Sequence, residues 1–152
     1  MAQGRVYSVA LDAVSVTTDA DQDLLEFVNG AAASLRLLEL RVTSSHTSDE
    51  RIKLRILRRT TTGSGGSGAT ENPHDGNNTV TANCVVSYLV TTPGTGGAIL
   101  AADWFTQLAP YRWVPTPVCE ILVPASGRLA LHIGTAVAST RTWCATAVWE
   151  EF

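Results

Sequence analysis

Three aspartates at alternate positions are the first residues whose spacing suggests chemistry. Asp19, Asp21 and Asp23 match the start of a calcium-binding loop, in which carboxylates recur at every second position. The rest of that pattern is missing, because it needs glycine at its sixth position and glutamate at its twelfth, where this chain has Leu24 and Gly30. We therefore expect a turn with solvated carboxylates here and no calcium site.

The other residue types that carry chemistry are scattered along the chain. His46, His74 and His132 have no Cys, carboxylate or second His at metal-ligand spacing, and no G-x-S-x-G nucleophile motif occurs. Residues 63–68 fit G-x-G-x-x-G, but the sequence after them does not predict the helix that a phosphate site requires. We predict that the chain is not an enzyme and has no catalytic residue, no metal site and no cofactor.

The composition indicates one domain with a surface poor in charge. The chain has 152 residues, of which 45% are hydrophobic and only 16% are charged, against about 25% in an average domain. Such a surface is typical of a protein that partners cover. The net charge of -3 argues against binding to nucleic acid, because phosphate backbones attract cationic proteins.

Neither a membrane span nor a targeting segment is recognisable in the sequence. No apolar run approaches the roughly 20 residues that cross a bilayer, so we expect no membrane association. The first residues lack a signal-peptide core, which predicts synthesis and retention in the cytoplasm of the producing cell. Cys84, Cys119 and Cys144 lie in apolar runs, and we expect three free, buried thiols.

Alternating hydrophobic residues predict β-strands along most of the chain. In 38–42 the side chains of Leu38, Leu40 and Val42 share one face, and 52–56 and 129–133 repeat this period of two, with Arg128 and His132 pointing outward. Segments rich in β-branched and aromatic residues add further strands. The predicted strands are 6–11, 24–28, 38–42, 52–56, 80–90, 104–108, 129–133 and 143–149.

The turn signals complete the predicted fold. A helix over 19–40 is the alternative, but Asn29-Gly30 favours strand, turn, strand. We predict an all-β, single-domain antiparallel β-sandwich over 1–152, jelly-roll-like, with about eight strands. The Gly- and Ser-rich segment 60–79 is predicted to be a flexible loop of the kind that often forms a contact surface.

A run of basic residues and two tryptophans are the candidate partner-contact residues. Five of the eleven basic residues lie within nine positions, which favours either a solvated strand face or a patch for an acidic partner. Tryptophans at the surface are often subunit contacts. The candidates are Arg51, Lys53, Arg55, Arg58, Arg59, Trp104 and Trp113.

Three segments resemble small β-sandwich proteins of tailed bacteriophages. They are 4–11 (GRVYSVAL), 113–129 with its WVPTP and ILVPASGRL, and 147–152 (AVWEEF). The family comprises capsid decoration, or cement, proteins. The resemblance implies a jelly-roll homotrimer, made in the host cytoplasm, that binds the major capsid protein on the capsid exterior of the virion and cements neighbouring capsomers.

Two other functions fit the same strand pattern. A receptor- or glycan-binding module of a head fibre or tail would expose the 63–79 loop and some of the tryptophans. A cellular ligand-binding β-sandwich would need a well-formed pocket with convergent polar groups.

Overall fold

The computed structural model describes residues 4–17, 21–45, 47 and 49–152. Within these ranges the chain forms twelve β-strands and no helix. The strands are β1 (Arg5–Val16), β2 (Gln22–Asn29), β3 (Leu35–Ser44), β4 (Arg51–Arg59), β5 (Ser67–Gly68), β6 (Asn72–Pro73), β7 (Cys84–Val90), β8 (Gly96–Thr106), β9 (Tyr111–Trp113), β10 (Ile121–Val123), β11 (Arg128–Ile133) and β12 (Arg141–Glu151).

The strands form two antiparallel sheets that pack face to face. Sheet I has the order β10-β3-β12-β1-β6, with β9 also paired to β3, and sheet II has the order β5-β7-β2-β11-β4-β8. The predicted all-β antiparallel sandwich is confirmed. The 19–40 region is strand, turn, strand as predicted, but its two strands lie in different sheets, so the turn is not a hairpin.

The pairing of the strands is nested, as in a jelly roll. The first strand pairs with the last, β2 pairs with β11, β3 pairs with β10 and β9, and β4 pairs with β8. A long hairpin folded over on itself gives this pattern and produces two four-stranded halves, β10-β3-β12-β1 and β2-β11-β4-β8.

The segment between β4 and β8 (residues 60–95, hereafter the insertion) adds the remaining strands. Its β7 pairs with β2 and its β5 pairs with β7, which extends sheet II, while its β6 pairs with β1 of sheet I. The insertion therefore closes one lateral side of the sandwich. We call the outer edge formed by β5, β6 and β7 the insertion side.

The predicted number of strands was wrong because of the insertion and of two very short strands. The predicted strand 80–90 corresponds to β7, which belongs to the insertion and not to the jelly roll. The eighth strand of the jelly roll is formed instead by β9 and β10, which have three residues each. The 60–79 segment contains β5 and β6 and is hydrogen-bonded to both sheets. Its flexibility stays a prediction.

The core lies between the two sheets and is rich in aromatic rings. On β12 the buried residues alternate with half-buried and exposed ones, which places Trp143 and Trp149 in the core. The Trp149 ring lies 6.1 Å from the ring of Tyr7 and 5.8 Å from that of Phe27, measured between centroids. Burying each large apolar side chain contributes about 1.5–3 kcal/mol.

One predicted core position was wrong because β3 contains a bulge. The register passes from Val148 paired with Glu39 to Trp149 paired with Leu37, so Leu38 is an extra residue without a partner position. A bulge shifts the alternation by one residue. Leu37 is therefore fully buried and Leu38 is only half-buried.

Two of the three cysteines are exposed, contrary to the prediction. Cys84 is buried, whereas Cys119 and Cys144 are exposed, and all three thiols are free. Burial, together with the nearby charge of Glu151, raises the pKa of the Cys84 thiol far above its usual range. Cys119 lies in the connection before β10, and Cys144 lies on the outer face of sheet I, so neither reaches the core.

Candidate functional site

A buried ion pair between Arg59 and Asp23 lies on the outer face of sheet II. Arg59 Nε donates to Asp23 Oδ2 at 3.1 Å, and Arg59 Nη2 donates to Asp23 Oδ1, so the pair is bidentate. Arg59 Nη1 also donates to the carbonyl oxygen of Gly94 at 2.9 Å. His132 Nδ1 lies 2.8 Å from Asp23 Oδ1, and its Nε2 lies 2.9 Å from Asp21 Oδ1. This cluster joins β2, β4 and β11 to the end of the insertion.

The cluster resembles part of an acid–base site but has no free reactive atom. A carboxylate facing imidazole Nδ1 is the arrangement that orients a catalytic histidine. Here Nε2, the atom that would face a substrate, is paired with Asp21, and His132 is only 4% exposed. The histidine points outward from the sheet as predicted, but it is buried, with Asp21, Asp23 and Arg59 as its partners. We interpret the cluster as an anchor for the insertion.

The insertion is held at further points by buried and half-buried acids. Glu26 on β2 accepts a hydrogen bond from Gly63 N at 2.8 Å, and within the insertion Glu71 accepts one from Val86 N at 2.7 Å. Glu151 on β12 accepts from Cys84 N at 2.9 Å. Because acceptors on both sheets bind the insertion backbone, the insertion is part of the folded domain.

The opposite lateral side of the sandwich is an apolar surface. Strand β8 has eleven residues, pairs only with β4 among the described strands, and is exposed along most of its length. Strands β9 and β10 form the neighbouring edge of sheet I, and Arg58 on β4 links the two edges by donating to the Leu122 carbonyl at 2.9 Å. We call this surface, residues 96–122, the apolar side.

Exposed hydrophobic residues are concentrated on the apolar side. Of the ten exposed large apolar side chains among the described residues, seven lie there. Trp104 is 62% exposed and Val118 is 91% exposed. The seven are Ile99, Leu100, Trp104, Leu108, Val114, Val118 and Leu122.

The charges on the apolar side are few and are paired within the chain. Arg112 donates to Glu39 at 2.8 Å, and Glu120 accepts from Arg36 at 3.4 Å. Burial and the adjacent Asp103 carboxylate raise the pKa of Tyr111 to about 12, so this residue stays neutral and protonated at physiological pH. The apolar side therefore presents little unpaired charge of its own.

The structure brings four of the seven candidate partner-contact residues together and separates the other three. Arg51, Lys53 and Arg55 lie on the outer face of β4, where Lys53 Nζ lies 5.9 Å from the Trp104 ring centroid. Arg51 and Trp104 line one groove of about 320 Å³ with Asp49 and Thr106.

The three remaining candidates have structural contacts. Arg58 bridges the two sheets at the apolar side, and Arg59 is the buried partner of Asp23. Trp113 is half-buried on β9 and packs against the core. Only the row Arg51, Lys53, Arg55 with Trp104 is a surface patch.

Comparisons with family models, with curated proteins and with solved structures found no match to this chain.

None of the described residues belongs to a helix long and apolar enough to cross a membrane. Among the same residues, no three His, Cys, Asp or Glu side chains are grouped as metal ligands. Asp19 and His46 lie outside the described residues.

Sequence reasoning missed both the anchor and the apolar side. Asp23 is separated from Arg59 by 36 positions and from His132 by 109, so no local spacing connects them. The apolar side had a visible signal: between 96 and 122 the sequence has only three charged residues, Asp103, Arg112 and Glu120.

Arg59→Met tests the anchor. The substitution leaves the Asp23 carboxylate buried without its cation, and breaking a buried pair costs about 3–5 kcal/mol. We expect a loss of that size in the free energy of unfolding, measured by urea denaturation. Asp23→Asn in the same chain should recover part of the loss. Arg51→Met, on the exposed part of β4, is the matched control and should leave the midpoint unchanged. A loss below about 1 kcal/mol would contradict the assigned role.

Proposed function

We propose that the chain is a structural virion protein that decorates the outside of a phage capsid and cements neighbouring capsomers. The observation that carries this proposal is the apolar side, where an exposed edge strand and seven large hydrophobic side chains lie along one lateral side of the sandwich. The protein acts by binding the major capsid protein and copies of itself.

A surface of this kind needs a partner. Unpaired edge strands template unwanted pairing, and proteins usually shorten them, charge them or cover them. Strand β8 is long and has a single charge, Asp103, and its register with β4 shifts on both sides of Leu57. Covering by a partner would protect this edge further. Large apolar patches on folded chains mark interaction sites.

The fold suits a protein that acts in many copies. A rigid jelly roll with surfaces on opposite sides can contact copies of itself and a shell at the same time, and closed symmetry reuses each contact. Several modest contacts in one assembly bind far more tightly than one contact alone. With the resemblance to decoration proteins, these features support a homotrimer on the capsid exterior.

A glycan-binding role is the second candidate, and one observation favours it. Trp104 is exposed beside Asp49, Arg51 and Thr106, and an aromatic ring next to polar side chains is a surface on which sugars stack. However, Lys53 lies over the Trp104 ring. Because the cation competes for the face that a sugar would use, we rank this candidate below decoration.

The decoration proposal predicts the abundance and the effect of the chain in particles. Quantitative mass spectrometry of gradient-purified particles should find a copy number comparable to that of the most abundant shell protein. Shells stripped of the chain should release DNA at a lower temperature than decorated shells, and adding the purified chain should restore the difference. Absence from particles, or equal heat resistance of stripped and decorated shells, would contradict the proposal.

The glycan candidate predicts binding that depends on Trp104. Titration calorimetry with polysaccharide from the host surface should then show binding by the wild-type chain and none by Trp104→Ala. Trp113→Phe, which alters a half-buried tryptophan, is the control and should bind like the wild type. If the wild-type chain binds no host polysaccharide, the glycan role is excluded.

A further inference from the structure

We propose that the apolar side of one copy binds the insertion side of a second copy, so that copies join head to tail into a closed ring. This inference rests on the proposed function, because it assigns the two surfaces through which a decoration oligomer forms. Four features carry it: the positions of the exposed apolar residues, the charges beside them, the separation of the two surfaces and the free edge of β8.

Most of the exposed apolar residues lie on two opposite sides of the sandwich. Seven lie on the apolar side, Val80 and Val85 lie in the insertion, and Phe152 follows the end of β12. Val80 and Phe152 line one groove of about 490 Å³ with Ala32 and Ala33. None of the ten lies on the outer face of β12, the central strand of sheet I, where Thr142 and Cys144 are exposed.

The charges beside the two sides are complementary. Arg51, Lys53 and Arg55 lie on the outer face of β4, next to β8, and outnumber Asp49, which lines a groove with Arg51. The insertion contains no Lys or Arg, and its charged residues are Glu71 and Asp75.

Neighbouring strands leave the insertion side acidic. Asp12 of β1 lines a groove there with Gly68 and Ala69, and Arg5 lies beside Asp75 in another groove. The described acids on this side, Asp12, Glu71 and Asp75, thus outnumber the cations, which are Arg5 and, at the start of the insertion, Arg128 beside Thr62.

This charge distribution decides between two kinds of contact. If the apolar side bound the same side of a second copy, two basic rows would lie next to each other, and like charges across an interface disfavour binding. If it binds the insertion side, the basic row faces an acidic surface. The head-to-tail contact is therefore favoured.

The geometry makes such a contact intermolecular. The two sides are opposite edges of the six-stranded sheet II, and five strand spacings of about 4.8 Å place them roughly 24 Å apart. Different surfaces that bind each other between copies produce a ring when the rotation closes. The free edge of β8 supplies backbone donors and acceptors to the contact.

Two single substitutions test the pairing of the surfaces. Val118→Asp places an acid on the apolar side, and Val85→Lys places a cation on the insertion side. Val118 is 91% exposed and Val85 is 58% exposed, so neither change should prevent folding, which circular dichroism and thermal melts verify. Thr142→Asp, on the exposed face of β12, is the matched control.

Analytical ultracentrifugation gives the expected result. The wild-type chain and Thr142→Asp should sediment as one discrete oligomer, and Val118→Asp and Val85→Lys should each sediment as single chains. An equimolar mixture of the two variants should form complexes of at least two chains, because that mixture retains one intact apolar side and one intact insertion side that can meet.

Three results would overturn the ring. They are a wild-type chain that remains single up to millimolar concentration, a Val85→Lys chain that still self-associates, and folded variants that do not pair on mixing.

Heat resistance of shells, measured with the same samples, separates this inference from the proposed function. If the wild-type chain stays single in solution but still protects shells against heat, the ring is overturned and the decoration role stands. If the chain forms a ring but shells with it are no more heat-resistant than shells without it, the decoration role is overturned and the ring stands.

Discussion

The buried pair of Arg59 and Asp23 is the interaction on which the rest of this structure depends. It forms where β4 ends and the insertion begins, and the third donor of the same guanidinium holds the Gly94 carbonyl where the insertion ends. A Cβ at Gly94 would overlap the Thr61 carbonyl, so only glycine allows the two ends of the insertion to meet there. Because both ends are fixed at one point, the insertion can extend sheet II and reach sheet I.

That constraint gives the sandwich two different sides. At one side, β5, β6 and β7 cover the edges of both sheets. At the other side, β8 and β10 have no neighbouring strand beyond them in the described chain, and hydrophobic side chains surround both. Burial of apolar area drives association between proteins. Both proposals follow from this asymmetry, since one side needs a partner and the other can serve as one.

The sequence predicted the fold class well because hydrophobic alternation survives in the long strands. All eight predicted strands overlap observed ones, and the strands β4, β11 and β12 have the faces that the period of two implies. The first half of β8 escaped prediction because Gly96, Gly97 and its alanines have low strand propensity. The bulge at Leu38 could not be predicted from the hydrophobic pattern, because Leu37 and Leu38 are the same residue type and either could face the core.

The candidate site was less predictable because it depends on tertiary contacts. The basic run appeared as one patch, yet Arg59 turns inward to Asp23 and Arg58 reaches across to β10, which leaves Arg51, Lys53 and Arg55 at the surface. No local pattern separates these roles, since all five basic residues lie on one strand. The exposure of β8 could not be predicted locally either, because it results from the position of β8 at the edge of sheet II and not from its amino-acid composition.

Thiol alkylation tests the central claim, that the apolar side is covered when copies associate. Cys119 lies on the apolar side and Cys144 lies on the outer face of sheet I, and both are exposed in the single chain. Mass spectrometry can follow the alkylation rate of each thiol in dilute and in concentrated wild-type chain. If the apolar side is covered, the alkylation rate of Cys119 falls on association and that of Cys144 stays the same. Equal rates for Cys119 in both samples, while the chain is associated, would contradict it.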